Sequence, residues 1–319
     1  MKPAIKKILW IAGILFIFIN IICAVQAYRF TYFYDELPAI HFSQMNFFQK
    51  ANTLIFGEKI AKEKVVDSLS VPHTSETILT EDGFKLACWN LKHPANDSIK
   101  IKGTLLMFHG HGSCRSGIIP DATFFYKQGW NIFMADFRAH GQSSGNTCTI
   151  GYFEAKDVKA VYDHVKNNGD KNIAMFGVSL GAATITKAIH DYPYIQPSKI
   201  ILESPFGTMT EAAEGKMRSM KLPTQPLSAL ILFWASIETH YWAFNNKPEE
   251  YIKSVKCPVL LQWGEDDDKV TRKEIDDIYK NINVPEKRLV VYKNCGHESL
   301  CRNNFSKWSL TVTKFLDVK

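Results

Sequence analysis

The stretch Gly177-Val178-Ser179-Leu180-Gly181 constrains this chain more than any other part of it. An apolar run, Asn172-Ile173-Ala174-Met175-Phe176, precedes it, and good helix formers follow from Ala182 to Ile189. Strand, sharp turn, helix is the setting in which a G-x-S-x-G pentapeptide holds its serine in a strained turn at the top of a sheet. A side chain in place of either glycine would collide with the neighbouring strand or helix. The pattern predicts a nucleophilic Ser179 at a helix N-terminus.

The rest of the chain supplies the sheet. Residues 76–80 and 84–89 flank Asp82-Gly83 and read as a hairpin. Near-continuous apolar runs at 103–109, 130–136, 172–176, 199–203, 258–263 and 288–292 read as strands buried on both faces. Between them, Glu154–Asn167 carries Val158, Val161, Tyr162 and Val165 at helical spacing, and Phe305–Leu316 reads as a last helix. Strands alternating with helices predict an α/β fold: a mostly parallel sheet with helices on both faces. Residues 205–250 interrupt the alternation with Leu227–Trp234 and Tyr241–Phe244, apolar runs too short to cross a bilayer. They read as a helical cap over the site, with ordinary packing helices as the alternative.

Residues 8–27 are apolar, broken by Asn20, and Lys2, Lys6 and Lys7 precede them. About 20 residues suffice for a transmembrane helix. The lysines favour a cytoplasmic N-terminus, and Tyr28, Tyr32 and Tyr34 suit an interfacial belt. The alternative is a signal peptide cleaved after Val25-Gln26-Ala27. Both readings put the remaining chain outside the cytoplasm. The expected division is residues 1–30 as anchor or signal, 31–73 as an amphipathic linker with a helix around Phe47–Lys64, and 74–319 as the α/β domain. A net charge of +6 on 319 residues, without a basic stripe, does not suggest nucleic acid. Six cysteines beyond Cys23 permit disulfides in an exported domain. The expected pairs are Cys295–Cys301 and Cys114–Cys148, with free thiols as the alternative. Nothing in the spacing suggests a metal site.

A serine hydroxyl needs a base to take its proton and an acid to orient that base. On a sheet of this kind the order is Ser, acid, His. His297, in Asn294-Cys295-Gly296-His297-Glu298, follows the last strand. His240 is the other late histidine and has no strand before it. The acid lies among Glu265-Asp266-Asp267-Asp268 after a strand, and Glu203 ends another. The oxyanion donors are the backbone N–H of Leu180 and that of His111, in His109-Gly110-His111-Gly112. His109 and His111 lack a third metal-ligating partner and read as structural.

Taken in order, Phe108-His109-Gly110-His111-Gly112, Asp136-Phe137-Arg138-Ala139-His140-Gly141-Gln142-Ser143, the Ser179 pentapeptide, Gly264-x-x-Asp267-x-x-Val270 and Gly296-His297 resemble the motifs of α/β-hydrolases. Residues 74–318 look most like the membrane-anchored, serine-aminopeptidase-like group, which is also similar to monoacylglycerol lipases. The resemblance implies an α/β-hydrolase fold and Asp267 as the acid, with Asp266 and Asp268 as fallbacks. It gives the Asp136–Ser143 turn a structural role, with Ala139 where the family usually has glycine. The implied activity is serine hydrolysis of carboxylic esters, small or lipid-derived, with Ser179, Asp267 and His297 catalytic and no cofactor. The same machinery on peptide or amide bonds, or a non-catalytic membrane-tethered binding protein, are the other readings.

Overall fold

The computed structural model describes residues 2–36, 46–94 and 99–317. Eight strands form one sheet: β3 (Thr74–Leu79), β4 (Lys85–Leu91), β5 (Gly103–Phe108), β6 (Trp130–Ala135), β7 (Ile173–Val178), β8 (Ile200–Glu203), β9 (Val259–Gly264) and β10 (Lys287–Tyr292). Their order is β10-β9-β8-β7-β5-β6-β4-β3. The pairings from β6 to β10 are parallel, and the hairpin β3–β4 closes one edge antiparallel. A separate two-stranded pair, β1 (Phe33–Tyr34) and β2 (Ile60–Ala61), lies outside this sheet.

Helices cover both faces because the central strands are apolar on both sides. One apolar cluster joins the sheet to α4 (Ala155–Asn167), α5 (Leu180–Asp191) and α9 (Arg272–Asn281). The other joins it to α3 (Ile119–Lys127), α10 (Leu300–Asn303) and α11 (Phe305–Asp317). Trp308, fully buried, fills the second face and stacks its edges on Phe124 and Phe125. The insertion after β8 forms α6 (Met209–Ser219), α7 (Leu227–Thr239) and α8 (Pro248–Tyr251). Tyr241 Oη donates to Thr149 O at 2.8 Å and Asn246 Nδ2 to Ile150 O at 3.0 Å, tying the insertion to the loop after β6.

The N-terminal helix α1 (Pro3–Thr31) is long and apolar enough to cross a membrane. Its last turns do not stand free. Cys23, Ala27 and Thr31 are buried, and Trp234 Nε1 of α7 donates to Asn20 Oδ1 at 3.3 Å. The residue that breaks the apolar run thus has a partner in the insertion. The chain then joins the domain edge: Phe33 N donates to Asn146 O at 2.7 Å, and Cys148 N to Thr31 O at 2.8 Å. The helix expected around Phe47–Lys64 is shorter, α2 (Phe47–Phe56). It stops before Gly57, whose φ of 75° is a left-handed helix-ending conformation. Residues 37–45 of the expected linker, residues 95–98 and the last two residues lie outside the described ones.

The expected disulfides do not form; all seven cysteines are free. Cys148 is packed in the α4–α5 cluster and accepts from Ile150 N at 3.4 Å, whereas Cys114 starts a short turn beside Asp136. Cys295 and Cys301 pack as small apolar groups on the other face. Burial pushes the Cys114 thiol up to about 11, so it stays protonated.

Packing is close where β5 meets α5. A Cβ on Gly181 would stand 2.4 Å from Phe108 O and 2.9 Å from His109 O. Gly181→Ala is expected to cost about 1–3 kcal/mol, read as a Tm lower by roughly 3–10 °C. An unchanged Tm would contradict this packing.

Candidate active site

The site grows from the ends of three strands. At the end of β7 the chain reverses through Ser179, at φ 50° and ψ −107°. Such a backbone costs a non-glycine residue about 1–3 kcal/mol. It is held on both sides: Ser179 N donates to Glu203 O at 2.7 Å, and Ser179 O accepts from Ala183 N at 3.0 Å. The turn hands Ser179 to α5 as its N-cap.

At the end of β9 the loop runs back across the rim. A Cβ on Gly264 would stand 2.4 Å from Cys295 O, so the loops after β9 and β10 are in contact. Asp266 N donates to Cys295 O at 2.9 Å, which sets the register between them. Asp267 is the one acid of the run that turns inward; Glu265, Asp266 and Asp268 are exposed. Its Oδ1 accepts from Lys269 N at 2.9 Å and Val270 N at 2.8 Å. Its Oδ2 lies 2.8 Å from His297 Nδ1. His297 Nε2 lies 3.0 Å from Ser179 Oγ. Ser179, His297 and Asp267 therefore form a continuous hydrogen-bonded chain. The carboxylate side chain has no solvent exposure and the imidazole has 14 %. With its carboxylate partner on Nδ1, the ring is free to accept the serine proton on Nε2.

Glu203 is not part of this chain. Its backbone holds Ser179, but its Oε1 accepts from Gln262 Nε2 at 3.0 Å and Trp308 Nε1 at 2.6 Å, beneath the site. Burial pushes this carboxyl well above the usual range. His240 is exposed at the end of α7.

The loop after β5 completes the rim. A Cβ on Gly110 would stand 3.7 Å from Ser179 Cβ, so this loop touches Ser179. His111 and Leu180 both line the cleft around Ser179 and His297. Leu180 opens α5, so its N–H is one of the donors with no acceptor inside the helix. Three histidines brace the loop. His109 Nε2 accepts from Phe137 N at 3.1 Å, and His140 Nε2 accepts from Gly112 N at 3.2 Å. Their Nδ1 atoms lie 2.8 Å from Gly110 O and 2.9 Å from Arg138 O, where they donate. Both rings are thereby held neutral. Burial drives His109 down to about 4 and His140 to about 3. His111, also lowered by burial, bonds the backbone of Phe30 and packs between Phe30 and Phe33. Nothing in the spacing of His109 and His111 foretold that residues from the N-terminal segment would close this stack. The Asp136–Ser143 turn backs it: Asp136 accepts from Arg115 N at 2.7 Å and Gln142 N at 2.9 Å, and its carboxylate pairs with the Arg115 guanidinium. Ala139 holds φ 64° there, a left-handed conformation that suits glycine.

The cleft has a volume of about 1490 Å³. Its walls include Phe30 and Ile60 from the N-terminal segment, and Phe206, Ala212 and Lys216 from the insertion. Among the described residues no cluster of His, Cys, Asp or Glu is arranged to hold a metal ion.

Residues 99–248 match the family described as serine aminopeptidase, S33. The uncharacterized protein YqkD of Bacillus subtilis is 27% identical over 217 residues, 67% of this chain and 71% of that protein. The lysophosphatidylserine lipase ABHD12 of Mus musculus is 26% identical over 179 residues, 51% of this chain and 41% of that protein. Among solved structures, the Pyrococcus furiosus esterase Pf2001 superposes with a TM-score of 0.66 at 25% identity, over 80% of this chain and 96% of that one.

Two outcomes test this geometry. Asp267→Asn is expected to slow modification of Ser179 by a fluorophosphonate on the order of 10⁴-fold, with Asp266→Asn close to wild type; equal effects would contradict the assignment of the acid. The neutral histidines carry the second. Below about pH 6.5 the unfolded chain protonates both imidazoles while the folded protein does not. Their contribution to stability is therefore complete above pH 6.5 and is lost as pH falls toward 4 and then 3. His140→Asn should flatten the fall of Tm between about pH 6.5 and 4. A slope identical to wild type would show that His140 is not buried neutral.

Proposed function

Starting from a chain that belongs to the α/β-hydrolase superfamily, we propose a membrane-anchored serine hydrolase of carboxylic esters, lipid-derived ones above all. The observation that carries this reading is the hydrogen-bonded chain Ser179–His297–Asp267 at the floor of a cleft with an apolar wall. Ser179 Oγ gives its proton to His297 Nε2 and attacks the ester carbonyl carbon. Asp267 keeps the imidazole in the working tautomer and stabilises its cation. The N–H groups of His111 and Leu180 receive the oxyanion, each worth about 3–4 kcal/mol. Collapse expels the alcohol, protonated by His297, and leaves an acyl group on Ser179. A water, deprotonated by His297, releases the acid by the same steps in reverse.

The insertion at 205–250 acts as a cap over an α/β-hydrolase domain that runs from residue 74 to the end of the chain. The anchor is α1, retained rather than cleaved. Burial of Cys23 and Ala27 and the Asn20–Trp234 bond favour retention, because cleavage after Ala27 would strip these contacts from α7. Lys2, Lys6 and Lys7 favour a cytoplasmic N-terminus with the domain on the other side. The match to a family described as serine aminopeptidase favours a second reading, the same mechanism on amide bonds.

Ser179→Ala is expected to lower hydrolysis of short p-nitrophenyl esters by roughly 10⁴–10⁶-fold in protein that still folds. Turnover equal to wild type would end the proposal. Faster cleavage of aminoacyl amides than of acyl esters would move the assignment to the second reading.

A further inference from the structure

The apolar run of α1 does two jobs at once, and its length shows the conflict. Residues 8–27 measure about 30 Å as a helix, the thickness of a hydrocarbon core. From Ile19 onward one side of the same helix, still mostly apolar, packs on the domain; residues 3–18, about 24 Å, form an unbroken exposed run. Keeping the whole run in hydrocarbon brings its packing partner down with it. That partner is α7, the one other strongly apolar helix among the described residues. Its outer side suits such depth: Phe233 and Ile237 are 41% and 49% exposed, and Trp242 just beyond is 52% exposed. Large apolar side chains with a tryptophan are what an interfacial face presents.

Between α1, α6 and α7 lies a second cavity, lined by Ile22, Cys23, Met217, Leu222, Leu227 and Ile231 among others. It is almost wholly apolar. It shares Phe30, Glu58, Ile60 and Lys216 with the cleft above Ser179, so the two are adjacent. Its volume of about 160 Å³ gives room for a segment of an acyl chain.

We infer that this cavity is an acyl-chain site, opening toward the bilayer beside α1 and leading an acyl tail of a lipid ester to Ser179. The inference rests on the proposed ester hydrolysis and on α1 as a membrane helix. The tail leaves the leaflet between α1 and α7 and passes Phe30 and Ile60. Most of this path is apolar, with the Lys216–Glu58 ion pair, 3.8 Å apart, at the junction, while the alcohol part faces the other side of the main cleft, where Lys269 stands. The anchor is thereby one wall of the substrate site as well as a tether.

The test uses the full chain in lipid nanodiscs and a long-chain alkyl fluorophosphonate with a diazirine near its chain end. The reagent bonds Ser179 Oγ to phosphorus with loss of fluoride, and light then fixes the tail where it lies. Cross-links within 22–30 or 217–231 are expected. With Ser179 labelled, cross-links on the opposite wall, at 117–121 or 299–302, would overturn the acyl-chain site and leave the hydrolase reading standing. Failure to label Ser179 would remove that reading and this inference together. In a second arm, Ile231→Trp should lower the ratio of kcat/KM on long-chain over butyrate esters about tenfold. An unchanged ratio in a variant active on butyrate would overturn the inference.

Discussion

The rim of this protein depends on a backbone conformation that Ser179 would not adopt alone. Its φ of 50° persists because the structure around it leaves no alternative. Gly181 lies hard against the end of β5, and Glu203 O and Ala183 N grip the serine's own amide groups. A relaxed turn would swing Oγ away from His297 and withdraw the Leu180 N–H from the cleft. One strained residue thus sets both the hydrogen-bonded chain to His297 and the place of the Leu180 N–H, proposed above as an oxyanion donor.

The same logic governs the other parts. Three hydrogen bonds and complete burial fix both oxygens of Asp267. The loop bearing His111 is steadied by neutral imidazoles, which offer a donor and an acceptor each without the cost of a buried charge. Phe30 and Phe33 close that stack from the N-terminal segment. Helix α1, the insertion and the loop after β5 are therefore one contiguous body of packing. Its apolar side faces where the substrate's chain is proposed to enter.

Much of this was legible in the sequence. The strands were readable because buried parallel strands are apolar on both faces, and Ser179 and His297 because each follows such a run by a short turn. Asp267 was separable from Asp266 and Asp268 only through the family resemblance; it is the one the structure buries beside His297, and four adjacent acids carry no sign of which one turns inward. The docking of α1 on α7 was not legible. Both helices are apolar nearly all round, so periodicity gives no packing face, and composition alone points to lipid. Asn20 was the hint: a polar group in an apolar run needs a partner, and Trp234 supplies it. The cysteines misled because even counts in an exported domain suggest bridges, whereas here they fill core positions as small apolar groups.

The central claim is that Ser179 carries the acyl group during turnover. Rapid quenching of the reaction with an activated p-nitrophenyl ester, followed by mass spectrometry of the peptides, tests it most directly. The account predicts a burst of p-nitrophenolate and the acyl mass on Ser179, with both lost in His297→Ala. Steady ester turnover with Ser179 unmodified at every quench time would contradict it.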